Sequence, residues 1–195
     1  VFDRDLKSLA TFGTAPDTTK PAGPFDLFGP RDAAIDRDGN IWVTDTGNDR
    51  IQVFTLAGEF VRTVGSSGKG EGQFDEPVGI DIAKDGTVYV ADMYNRRVQV
   101  LNADGTFRSQ FTVDGWGGQE VNDKPYINVL TDGRIAVSLP GQNSVRVYSS
   151  SGGQSVSVVA GAEPLSRPYG IMQSADAKLW IVEGGSARVR QFPIP

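Results

Sequence analysis

The chain is 195 residues long, with 24 Gly, 11 Pro, no Cys, no His and a net charge of −5. These numbers exclude disulfide and thiolate chemistry, and any His-ligated zinc or His general base supplied by these residues. The acidic balance argues against a broad phosphate-binding face. No apolar run approaches the ~18 residues of a membrane span.

Residues 1–13 align with residues 53–65, sharing Val1/Val53, Phe2/Phe54, Thr11/Thr63 and Gly13/Gly65. They are therefore expected to form the outer strand of a preceding or closing blade. Leu6, Leu9 and Phe12 would bury their apolar stripe against either the first or the fourth repeat. Four copies of one pattern follow, beginning at Pro30, Pro77, Pro125 and Pro168. Asp38-Gly39, Asp85-Gly86 and Asp132-Gly133 recur 47 residues apart, and Asp176-Ala177 follows 44 residues later. A period in the forties built of short strands predicts an all-β propeller with one blade per repeat. The segments 30–65, 77–111, 125–160 and 168–195 are the successive repeats of one domain.

Within each copy the second strand is apolar throughout: Ile41-Trp42-Val43, Val88-Tyr89-Val90, Ile135-Ala136-Val137 and Leu179-Trp180-Ile181. Continuous apolarity predicts that both faces are covered, as between two neighbouring blades. The third strands, RIQVF, RVQVL, SVRVY and RVRQF, alternate polar and apolar residues, which suits a position further from the axis. Asp-Gly before the second strand predicts a tight turn with Gly at positive φ. Ala177 breaks that rule, so the fourth turn is expected to differ. No segment shows helical periodicity.

Pro77, Gly79, Ile80, Asp85, Gly86, Val90, Ala91, Asp92, Asn95, Arg97, Val98, Gln99 and Val100, with the lead-in GEGQFDEP at 70–77, resemble the NHL repeat family. The resemblance implies a ring of six blades, of which these four repeats and a leading outer strand would be part. The third and fourth copies depart from the pattern, with Leu139 and Glu183 in place of Asp45 and Asp92, and Ser144 in place of Arg50 and Arg97.

Asp45 with Asn48, and Asp92 with Asn95, are the residue types that bind cations or polarise substrates. Their recurrence in successive copies favours a scaffold role instead, satisfying backbone donors at a strand connection. Arg50 and Arg97 are expected to pair with carboxylates or carbonyls of a neighbouring blade. The segment Asp36 to Asn40 starts like a calcium loop but lacks the closing acidic ligand, so it reads as a plain turn. The glycines of 68–72 have no strand–helix context and match a phosphate loop weakly.

Residues outside the repeat are better candidates, because the fold does not demand them. Arg31, Asp32, Tyr94, Arg96, Trp116, Tyr126 and Tyr169 fall on the rim formed by inner-strand starts and second-to-third-strand turns. Aromatic and Arg residues anchor binding surfaces. Tyr126 and Tyr169 have an alternative role, packing beside their prolines. The function so indicated is a non-catalytic interaction module with a protein or carbohydrate ligand, no cofactor and no tightly bound metal, appended to a larger protein. What the resemblance implies as alternatives is a calcium-dependent hydrolase or lyase and, third and least favoured by the acidic charge, an RNA-binding domain.

Overall fold

The computed structural model describes residues 7, 8, 11–15, 17, 19, 22–116, 124–153, 155–158 and 163–195. Blade 1 consists of β1 (Ala33–Ile35), β2 (Ile41–Asp45), β3 (Arg50–Phe54) and β4 (Phe60–Val64). A short parallel pair, β5 (Ser66–Ser67) and β6 (Gln73–Phe74), leads into the next sheet. Blade 2 is β7 (Pro77–Ile82), β8 (Val88–Asp92), β9 (Arg97–Leu101) and β10 (Phe107–Thr112). Blade 3 is β11 (Ile127–Val129), β12 (Ile135–Leu139), β13 (Ser144–Tyr148) and β14 (Ser155–Ser157). Blade 4 has three strands, β15 (Pro168–Gln173), β16 (Lys178–Glu183) and β17 (Arg188–Pro193). Each is an antiparallel meander with its strands in chain order, and the inner strands of successive blades touch. The repeats thus form a propeller arc. Among the described residues the only helical pieces are two 3-10 turns, Thr46–Asn48 and Pro140–Gln142.

The Asp-Gly turns behave as the sequence requires, with Gly39, Gly86 and Gly133 at φ of 83°, 89° and 84°. The fourth turn does not differ. Ala177 takes φ of 59° and donates its N–H to Ser174, as Gly86 does to Ala83. The blade geometry therefore overrides the local preference, at a cost of about 1 kcal/mol for the crowded Cβ.

The core is divided among the blade interfaces. Trp42, Ile51 and Val53 of blade 1 pack with Ile80, Val88, Val90 and Leu101 of blade 2. Tyr89, Ala91, Val98 and Val100 pack with Ile127, Ile135 and Val137 of blade 3. Ala136, Val145 and Val147 pack with Leu179, Ile181 and Phe192 of blade 4. Each blade therefore offers a back face to its successor and a front face to its predecessor. Every residue of β2, β8 and β12 is buried, as the continuous apolar pattern predicts. In β16 burial alternates, and Trp180 and Val182 are exposed.

In the third strands Gln52 and Gln99 are fully buried, so the polar positions of β3 and β9 face the interior. Their amides donate to the carbonyls of Asp26 and Gln73 in the lead-in segments. The outer strands of blades 1 and 2 also reach over the third-to-fourth-strand turn of the following blade. Val64 lies against Gly105 and Phe111 against Gly152, and a Cβ on Gly105 would stand 2.7 Å from Val64 Cγ2. Phe12 lies against Gly58 in the same way, and its ring stacks on Phe54 at 4.8 Å. Phe12 thus serves the first repeat rather than the fourth. Leu6 and Leu9 lie outside the described residues.

Candidate functional site

The acid-amide pairs sit at the end of the second strand, where the 3-10 turn of blade 1 and its equivalent in blade 2 swing the chain back. Asp92 Oδ1 accepts from the Asp75 N–H at 2.8 Å, and Oδ2 from Arg97 Nε at 2.7 Å, from Asn95 and from Gln99. Asp45 accepts in the same way from Phe28 N–H, Asn48, Arg50 and Gln52. Both carboxylates are fully buried. Their lone pairs are committed to internal donors, leaving little to offer a cation or substrate. Arg50 donates onward to the carbonyls of Ala22, Gly23 and Asp26, and Arg97 to those of Lys69, Gly70 and Gln73. The carboxylate partner thus lies in the same repeat, not in a neighbouring blade. In blade 4 Glu183 takes the place of Asp92, accepting from Ser166 N–H, Ser186, Arg188 and Arg190. Burial works to raise the Glu183 carboxyl, but Ser186, Arg188 and the Ser166 N–H together hold it below the usual range.

Asp36 is a turn residue, as its sequence context indicates. Its oxygens accept from the backbone of Asp38 and Asn40, the Asn40 amide and the Trp42 indole. Among the described residues no group of three His, Cys, Asp or Glu side chains gathers to hold a metal ion.

The rim candidates separate into groups. Arg31 is exposed, and its guanidinium makes no ion pair among the described residues. Asp32 Oδ2 accepts from the Ile80 N–H of blade 2 at 3.1 Å, and Oδ1 from Ala33 N–H. Burial pushes its carboxyl up to about 6, outweighing those two hydrogen bonds, and the charge of Asp81 adds to the rise. The half-buried Tyr126 of blade 3 feels both residues. Its phenol is raised first by burial and then by Asp32, against the opposing charge of Arg31. These three residues from two blades form one electrostatic group at the inner end of the rim.

Tyr94 is exposed, with the Lys124 ammonium 5.3 Å from its ring centre. Lys124 is buried and bonded to Glu76. Arg96 projects beside them from the left-handed corner of the turn, at φ of 56°. Tyr169 rests on its own blade, because a Cβ on Gly184 would overlap its ring. Trp116 is not a surface anchor. It is 3% exposed, belongs to the core between blades 2 and 3, and its indole donates to the Ser138 carbonyl. The ring shares the core of that interface with Leu139.

Sequence reasoning missed Phe28 and Lys124. Phe28 is 53% exposed and leans on Gly47 at the rim of blade 1. It stands two residues before Pro30, where the later copies have Asp75 and Ser166 before their prolines. The criterion of departure from the repeat would have found it. Lys124 precedes Pro125 as Glu76 precedes Pro77, and this charge reversal between successive copies was the available signal. Two cavities open at the opposite end of the blades. One of about 760 Å³ lies between blades 2 and 3 beside Asp81, Tyr89, Asn128 and Arg134. The other, of about 620 Å³, lies between blades 3 and 4 beside Thr131, Gln173 and Phe192. Neither includes a rim candidate.

The repeat geometry agrees with the family comparison, in which the NHL repeat model matches residues 29–54 and 74–101. Two of this chain's repeats are NHL repeats. Solved structures extend the propeller fold over most of its length. A chain of a nidogen/laminin complex superposes with a TM-score of 0.67 at 20% identity, covering 87% of this chain and 65% of that one. Virginiamycin B lyase from Staphylococcus aureus, solved with quinupristin as a catalytically inactive histidine-to-alanine variant, gives 0.64 at 20% identity, covering 88% and 59%. A protein of unknown function from Bacteroides caccae gives 0.58 at 19%, covering 84% and 60%. At these identities the likeness establishes the fold. The chain spans about three-fifths of the length of each of these propellers. Among curated proteins, none matches this sequence. No helix among the described residues is long and apolar enough to cross a membrane.

Proposed function

We propose that this NHL propeller is a non-catalytic interaction module whose ligand is a protein segment lying across the rim of blades 1 to 3. The observation that carries the proposal is a contrast in commitment. The repeated acids, amides and arginines are consumed by internal hydrogen bonds, whereas Arg31, Arg96, Tyr94 and Phe28 stand exposed on the same rim. Exposed aromatic and Arg side chains over a rigid sheet are the common anchors of protein interfaces. The nidogen/laminin neighbour supports the reading, being a similar fold within a protein complex. The lyase neighbour supports catalysis less, because its inactive form lacks one histidine and this chain has none.

The test is a peptide-display selection against the chain, followed by affinity measurements on Arg31→Ala, Tyr94→Ala and Phe28→Ala. Selected peptides should lose about tenfold or more in affinity for each variant, with melting temperature unchanged. Peptides that bind all three variants as they bind the parent would refute the rim assignment.

A further inference from the structure

Strand register makes the back faces of blades 1 and 2 directly comparable. On blade 1 one row facing blade 2 runs Trp42, Val53, Arg62. On blade 2 the same row, facing blade 3, runs Tyr89, Val100, Ser109. The outer strand has the same irregularity in both, skipping Val61 in one and Arg108 in the other.

Between blades 1 and 2 this end of the interface is filled from within. The Arg62 guanidinium lies over the Trp42 ring, 4.9 Å from its centre, and its Nη2 donates to the Ala103 carbonyl of blade 2 at 3.1 Å. The Trp42 indole donates to Asp36 at 2.9 Å, and Arg37 lies against Gly86.

Between blades 2 and 3 the filling groups are replaced. Ser109 stands for Arg62, Ala83 for Asp36, Lys84 for Arg37 and Tyr89 for Trp42. Ser109 is short and exposed, so nothing from blade 2 reaches across as Arg62 does. The cavity of about 760 Å³ opens at this place, lined by Ala83, Lys84, Tyr89, Gly133 and Ser150. Gly133 and Ser150 are the counterparts of Gly86 and Ala103. Tyr89 is 5% exposed, yet its hydroxyl has no hydrogen-bond partner among the described residues. The Ser150 carbonyl likewise accepts no bond from them. Asp81 and Asp85 line the same space, whereas the acid of Asp132 is paired with Arg134. Burial, and after it the charge of Asp85, raise the Tyr89 phenol, opposed by Arg108. Asp85 is therefore within electrostatic reach of the ring. Arg108 is engaged with the Thr87 hydroxyl, and Lys84 is exposed at the edge.

We propose that this cavity receives a guanidinium group, held as Arg62 is held one blade earlier: over the Tyr89 ring and donating to the Ser150 carbonyl, with Asp85 beside it. A planar guanidinium stacks on an aromatic face and forks to oxygen acceptors, which an ammonium does not. The cavity is larger than that group, so the group arrives on a chain, as an arginine side chain of a peptide or as free arginine. The site lies at the opposite end of the blades from the rim and does not rest on the rim reading.

The test is an NMR titration of the isotope-labelled chain with N-acetyl-arginine amide. Binding in the millimolar range is expected for one stacked cation. It should move the amides of Ala83 to Asp85, Ser149 and Ser150, and leave those of Arg31 and Arg96 in place. The citrulline analogue has the same shape without the charge and should bind about tenfold more weakly or not at all. Ser109→Arg supplies the guanidinium from within and should abolish the titration at an unchanged or higher melting temperature. Asp85→Asn keeps the turn and should weaken binding about threefold or more. Equal binding of free and capped arginine would mark a small molecule as the ligand, and binding of the capped form alone a residue of a peptide. Either supports the site. No shift at these amides, citrulline binding as well as arginine, or a folded Ser109→Arg chain that still binds would overturn it.

Discussion

Blades 2 and 4 carry the same repeat and differ in their neighbours. In blade 2 every residue of the second and third strands is buried, and Arg97 reaches a buried acid and three carbonyls. In blade 4 the second strand alternates between buried and exposed residues, the third buries only Phe192, and Arg188 spans Glu183 and the exposed Glu163. The fold of one blade is thus set by its own pattern, while the energetic weight of each position is set by whether a next blade lies over it.

The sharpest test of that difference is the buried acid. Asp92→Ala leaves Arg97 buried without its carboxylate and should cost about 3–5 kcal/mol in urea unfolding. Glu183→Ala leaves Arg188 and Arg190 nearer to water and should cost about 1–2 kcal/mol. Equal losses would break the comparison.

A covered interface also creates a pH dependence. The Asp32 carboxyl, raised to about 6 by burial, is protonated more readily in the folded chain than in the unfolded one. Its ionisation therefore destabilises the fold as pH rises from about 4 through 6, and that cost persists above 6. Relative to the parent, Asp32→Asn should gain on the order of 2–3 kcal/mol between pH 4 and pH 7, at about 1.4 kcal/mol per pKa unit. A difference that is flat with pH would place Asp32 in water.

The matched valines give a smaller effect. Val98→Ala should cost about 2 kcal/mol, and Val189→Ala within about 0.5 kcal/mol, because one methyl pair is under blade 3 and the other faces solvent. Smallest of all, Ala177→Gly relieves a left-handed Ala and should raise stability by up to about 1 kcal/mol in thermal melts.

The architecture was legible because the period, the Asp-Gly turns and the apolar second strands each report a local requirement. The burial of Gln52 and Gln99 is not legible, because alternation cannot distinguish solvent from a carbonyl-lined interior. Ala177 was misread because the rest of the blade enforces the turn. Trp116 was misread because flanking glycines do not reveal what lies beneath a loop. Of the rim candidates, Arg31, Asp32 and Tyr126 are near enough for their charges to interact, and their departure from the repeat is visible in letters alone. Phe28 met the same criterion and was passed over, and the pairing of Lys124 with Glu76 needed three dimensions.

The seating of Phe12 on Gly58, and of the outer-strand residues Val64 on Gly105 and Phe111 on Gly152, gives the array a direction. The overhanging residue is always synthesised before the turn that it covers. A chain leaving the ribosome therefore completes each socket onto a surface already in place, and no blade waits for distant sequence to arrive. Growth from the amino terminus is built into this propeller's packing.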